Sequence, residues 1–95
     1  MKTILNTQKG ICYVCRNQGH THEHHIFFGT ANRNLSEKYG LKVYLCYKHH
    51  QGTPEGVHGG NQALNQKLKE DGQIAFEQKH GSRADFIRIF GRNYL

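Results

Sequence analysis

Cys12-x-x-Cys15 and Cys46-x-x-His49 are two pairs of soft metal donors, each with two residues between its members. That spacing lets a tight turn aim both donors at one ion, and two such pairs complete a tetrahedral structural zinc site. Three cysteines cannot all pair as disulfides, and the matched spacings favour a metal clip over three unrelated buried thiols. His50 directly follows His49 and is the alternative fourth donor; the spacing favours His49. A redox role for Cys12-Tyr13-Val14-Cys15 would call for a surrounding βαβ pattern, and the sequence has none.

A second concentration of donors lies between the two halves of the clip. His20, His22, His24 and His25 fall within six positions, and Ile26, Phe27 and Phe28 follow directly. Neutral imidazole both ligates divalent ions and accepts a proton near neutral pH. His20 and His22 read as exposed turn residues or groups incidental to a site. His80, just before Gly81, reads as a helix C-terminal residue favoured by the dipole.

A short chain must position these donors. With 95 residues, no Trp and 36% hydrophobic content, it makes one domain, 1–95, with a thin core. A bound metal is a common staple for such a domain. Residues 10–15 read as a strand closing in a knuckle, Ile26–Phe28 as a second strand and 41–46 as a third. The segment 30–40 between them reads as a polar connection, and 47–52 as the start of a helix. Residues 52–60, rich in glycine, read as loop. Asn61 is placed to cap a helix running to about Lys79, with Ala63, Leu64, Leu68, Ala75 and Phe76 on one face and a possible break at Gly72. Ser82 and Asp85 form a capping box for a second helix that Gly91 ends.

Together the motifs resemble the HNH nuclease family, whose ββα-metal core is often framed by zinc knuckles. The matching residues are His24-His25-Ile26 and Leu45-Cys46-Tyr47-Lys48-His49-His50, within a frame covering roughly residues 10–60; the helices of 61–95 lie outside it. The string from His24 to His50 is similar to small HNH proteins of bacteriophages. The resemblance implies a small α+β fold with a ββα-metal core, stabilised by structural zinc on Cys12, Cys15, Cys46 and His49. It places His24 and His25 at the start of the first strand. It implies that His24 and His50 ligate a catalytic divalent metal, with His58 as a further ligand from the glycine loop, and that His25 is the general base. Adjacent strand residues point to opposite sides, which suits this division between His24 and His25. The ion would be Zn²⁺, Mn²⁺, Ni²⁺ or Mg²⁺, imidazole donors counting against the last. Many relatives carry Asp where His24 stands. The family's middle Asn has no counterpart on the strand before Cys46, leaving Asn32 and Asn34 in the connection as candidates.

The expected activity is hydrolysis of DNA phosphodiester bonds to 5′-phosphate and 3′-hydroxyl ends, with a homodimer as one route to double-strand cutting. Thirteen Lys plus Arg against seven Asp plus Glu give +6, a balance suited to a polyanion. Arg16, Lys38, Lys42 and Lys48 are the candidate phosphate contacts near the site, and Arg83, Arg88 and Arg92 extend them. The alternative is a zinc-stabilised nucleic-acid-binding module without turnover. No segment is long and apolar enough for a membrane span, and Met1–Gly10 is too weakly apolar for a secretory signal. The expected compartment is therefore the cytoplasm, that of a bacterial host for a phage protein.

Overall fold

A computed structural model describes residues 1–51 and 53–95. It is a small α+β fold with one two-stranded antiparallel sheet and four helices. Strand β1, His22–His25, pairs with β2, Lys42–Leu45, in the register His22 to Leu45 and His25 to Lys42. Helix α1, Thr30–Tyr39, lies between the strands in sequence, and α2, Tyr47–His50, follows β2 directly. A 3-10 turn at Val57–Gly59 precedes α3, Gln62–Lys79, and α4, Arg83–Phe90.

Two expected strands take other forms. Residues 10–15 make no strand: Ile11 bridges singly to Gln8 and to Gln18. The knuckle turns too tightly for a ladder, with Arg16 in the left-handed region at φ 64° and its N–H donating to the Cys12 carbonyl. The second expected strand is displaced four residues upstream, to His22–His25, so that His24 and His25 end the strand instead of starting it. Ile26 and Phe27 are fully buried and leave the sheet for the core. Phe27 exchanges both backbone hydrogen bonds with the Ser36 hydroxyl, at 2.9 and 2.8 Å, in place of a ladder partner.

The expected polar connection is helix α1. Its buried Ser36 and partly buried Leu35 and Tyr39 face the core, which a run of mostly polar residues hid from a reading by composition. Gly40 ends α1 at φ 72°, a left-handed cap that glycine adopts without strain.

The C-terminal expectations hold with two adjustments. Asn61 caps α3 through the Leu64 N–H, and Ser82 and Asp85 form the reciprocal capping box on α4. Ala63 is exposed, not on the buried face. Gly72 does not break α3; a Cβ there would stand 3.0 Å from Phe27 and 3.3 Å from Ile26, so the missing side chain lets the helix seat against them. Phe27, Phe76, Phe86 and Phe90 pack as one aromatic cluster, Phe86 and Phe90 stacked at 4.6 Å. Buried Gln73 accepts from the Tyr94 N–H at 2.7 Å and donates to Asn93 at 2.8 Å, tying the C-terminal tail to α3. Gly52, the first residue of the expected loop 52–60, lies outside the described residues; within 53–60 the chain makes the 3-10 turn.

Two donor clusters across one short helix

The knuckle is fastened to the sheet at Tyr13. Its N–H donates to the Tyr44 carbonyl at 2.8 Å, and its hydroxyl donates to Asp71 of α3 at 2.8 Å. That seats Cys12 and Cys15 against the end of β2, where Cys46 starts the turn into α2. Cys12, Cys15, Cys46 and His49 offer donor atoms all within 4.8 Å of one another. Cys15 and Cys46 sulfurs stand 3.9 Å apart, and His49 Nδ1 is 3.4 Å from Cys46 and 3.8 Å from Cys12. A zinc–sulfur bond of about 2.3 Å with tetrahedral angles separates sulfurs by about 3.8 Å. The four residues therefore can bind zinc with little movement.

The thiols are electrostatically prepared for a cation. Burial pushes the Cys12 thiol up, but the backbone amides of Cys46, Cys15 and Val14 outweigh it and bring it down to about 6. Burial raises Cys46, and the adjacent Cys12 and Cys15 raise it further, because a second thiolate beside the first is repelled. A dication relieves that repulsion and takes the proton's place.

Helix α2 is one turn long, and its consecutive residues His49 and His50 face different clusters. His49 joins the cysteines. His50 joins His24 from β1 and His58 from the 3-10 turn, their donor nitrogens within 4.8 Å of one another and their ring centroids 4.9–5.2 Å apart. His24 is 2% exposed, and its Nε2 has no hydrogen-bond partner among the described residues. A buried imidazole nitrogen left unpaired costs about 1–3 kcal/mol, which ligation would recover. Burial, then the neighbouring His50 and His58, pushes His24 down to about 3; burial, then His58 and His22, pushes His50 down to about 4. Both are therefore neutral near pH 7, with lone pairs available. Three imidazoles with one side open fit a divalent ion that keeps positions for other ligands.

His24 and His25 divide as adjacent strand residues should. His25 is also buried, and its Nε2 lies 2.8 Å from Glu37 on α1. A cleft brings the two sides together, lined by Glu23, His24, His25, Phe28, Arg33, His50 and His58. Arg33, exposed on α1, makes no ion pair among the described residues, and Phe28 is 38% exposed at the rim. Neither Arg33 nor Glu37 was singled out in the sequence, because α1 was read as a connection. The usable signal was the spacing itself: Arg33 and Glu37 are four apart and share a helix face.

The expected phosphate contacts are spread out. Lys42 is buried and bonded to Glu37 and Glu23 at 3.0 and 3.5 Å, so its ammonium is already engaged. Lys48 pairs with Glu55 at 3.0 Å. Lys38 lies over the Tyr39 ring, and Arg16 lines a groove with Asn6, Thr7, Gln8 and Ile11, away from the histidines. Of the C-terminal arginines, Arg83 pairs with Glu77 and Arg88 with Asp85, while Arg92 stacks on Tyr94. Asn32 and Asn34 sit on α1, outside the residues that line the cleft. His22, read as an exposed turn residue or a group incidental to a site, is the first residue of β1 and faces His50. His80 caps α3 and donates from Nε2 to the Tyr39 carbonyl at 2.9 Å. No helix among the described residues is long and apolar enough to cross a membrane.

Compared with known proteins, the chain matches no family model, no curated protein and no solved structure.

Proposed function

We propose that this chain is a metal-dependent endonuclease of the HNH type, built on a ββα-metal core of β1, β2 and α2, which hydrolyses phosphodiester bonds in DNA. The observation that carries the reading is the convergence of buried His24, His50 and His58 on one side of a cleft that His25 also lines. Zinc on Cys12, Cys15, Cys46 and His49 serves as the structural staple. It fixes α2, and therefore His50, against the strand that bears His24.

In this reading His24, His50 and His58 hold the catalytic divalent ion. Neutral imidazoles leave that ion its full charge, which would stabilise the negative charge growing on the phosphate and on the departing oxygen. His25 takes the proton from the attacking water. The water oxygen bonds to phosphorus as the bond to the 3′ oxygen breaks, and the departing oxygen takes a proton from solvent water, leaving a 5′-phosphate and a 3′-hydroxyl. Arg33, which lines the cleft and makes no ion pair among the described residues, would grip a phosphate through its fork of donors. Phe28 offers an apolar face to a sugar or base at the rim.

Cleavage of supercoiled plasmid with Mn²⁺, Mg²⁺, Ni²⁺ or Zn²⁺ by the wild type and by His25→Ala tests this. The expected result is cutting by the wild type and a loss of about 10²–10⁴-fold in the variant, the usual contribution of a general base. Salt-sensitive DNA binding with no cutting under any metal would instead make the chain a zinc-stabilised binding module.

A further inference from the structure

Glu23, His25 and Glu37 form a third group of donor atoms within 4.8 Å of one another. A cation already stands among them. Lys42 Nζ lies 3.0 and 3.1 Å from the two Glu37 oxygens and 3.5 Å from Glu23, and the N-terminal ammonium is 3.1 Å from Glu37. The local charge is thus balanced without a metal, and what remains to be explained is the 2.8 Å contact between Glu37 Oε1 and His25 Nε2.

We infer that Glu37 is the positioning residue for His25, holding the imidazole as the Nε2–H tautomer so that the bare Nδ1 is the atom that accepts the proton. This rests on the reading of His25 as the general base. An ionised carboxylate can only accept a hydrogen bond, so the proton in the contact belongs to Nε2. Neutral imidazole carries one N–H, and Nδ1 is left with its lone pair. When the water's proton arrives at Nδ1, the imidazolium has a carboxylate already paired with it. Glu37 is well suited to remain ionised, because His25, Lys42 and the N-terminal ammonium together hold its carboxyl down to about 2.

The fold keeps Glu37 in place by a device next to it in the chain. Ser36 is fully buried and exchanges two hydrogen bonds with the backbone of Phe27, two residues beyond His25. The Ser36 carbonyl accepts from Leu41 at 2.8 Å, and the Leu41 carbonyl accepts from Ile26 at 3.0 Å. The end of α1 is therefore locked to the end of β1, and the carboxylate and the imidazole ride on the two locked segments. A helix between the strands supplies the orienting group where the resembled family's middle Asn has no counterpart on the strand before Cys46.

The test uses Glu37→Ala, a substitution at a half-exposed site, with circular dichroism and metal content confirming that the variant folds and loads as the wild type does. Long-range ¹H–¹⁵N spectra of the zinc-loaded proteins read the His25 tautomer directly, and plasmid cleavage reads kcat and KM. The expected result is protonated Nε2 in the wild type, loss of that preference in Glu37→Ala, and a fall in kcat on the order of 10–100-fold with KM unchanged. Added formate, which can enter the vacated position, restores part of kcat. A wild type that cuts DNA while His25 carries its proton on Nδ1, or a Glu37→Ala variant with wild-type kcat, overturns the role of Glu37 alone. A folded wild type that fails to cut under any of the four metals overturns the nuclease reading, and the positioning role falls with it.

Discussion

Nδ1 of His22 and Nδ1 of His50 face each other at 3.0 Å. One of the two nitrogens donates; with His50 as the donor, its proton sits on Nδ1 and its Nε2 keeps the lone pair that an ion would use. In the proposed reading His22 would orient His50 within the three-histidine cluster. Partners of this kind typically contribute 10–100-fold to metal affinity. His22→Ala is expected to weaken the cluster's hold on Zn²⁺ or Ni²⁺ by about that factor. Competition titration against a chelating dye measures it, and unchanged affinity would remove His22 from the site.

Loss of the clip should be felt by the whole fold. Cys12 is fully buried and is the donor that the backbone amides favour most as thiolate. Structural zinc in small domains contributes about 10–16 kcal/mol, comparable to or above the 5–15 kcal/mol stability of a whole domain. Cys12→Ser, or prolonged treatment with a strong chelator, is expected to abolish the cooperative thermal transition. A wild-type melting curve in the metal-free protein would show that the cluster is not a staple.

His50→Ala should separate the two clusters. His49 stands with the cysteines and His50 with His24 and His58. The variant is expected to keep one zinc per chain and its melting curve while losing cleavage. Elemental analysis decides this, and loss of all bound zinc would place His50 in the clip.

Ser36 is expected to matter for stability beyond its size. Ser36→Ala leaves the buried N–H and carbonyl of Phe27 without their partner, at about 1–3 kcal/mol for each unsatisfied group. Urea denaturation should show a loss of about 2–6 kcal/mol, the two groups together. A loss below about 0.5 kcal/mol, the scale of ordinary surface changes, would mean that the α1–β1 lock is not rigid.

Acid should weaken the fold through Glu37. Its carboxyl titrates near 2 in the folded chain against an ordinary 4.5, through His25, Lys42 and the N-terminal ammonium. The folded state thus favours the ionised form. Its contribution is complete above the ordinary value and is lost as pH falls towards the folded value. Urea midpoints of wild type and Glu37→Gln should differ at pH 6 and converge as pH approaches 2. A constant difference across that range would exclude the carboxylate as its source.

Much of this was legible in the residues themselves. The paired spacings marked Cys12, Cys15, Cys46 and His49, because a tight turn aims i and i+3 donors at one point wherever the turn occurs. Asn61, Ser82, Asp85 and Gly91 marked the ends of α3 and α4, because capping is settled within one turn of chain. These are local rules, and local sequence is enough to apply them.

Tertiary structure decided the rest. Helix α1 is invisible to composition, since its ten residues are mostly polar and only Ser36 is fully buried. Ile26 and Phe27 read as a strand by propensity, but burial against Gly72 draws them out of the sheet. Arg33 lines the histidine cleft and Glu37 meets His25 on a helix whose end is bonded to Phe27 through Ser36, a pairing nine residues apart that no periodicity announces. The sequence by itself determined which donors exist and how each turn and cap presents them. Which donors share a cluster, and which carboxylate meets His25, was decided by packing, because those contacts join segments whose relative placement depends on the whole core.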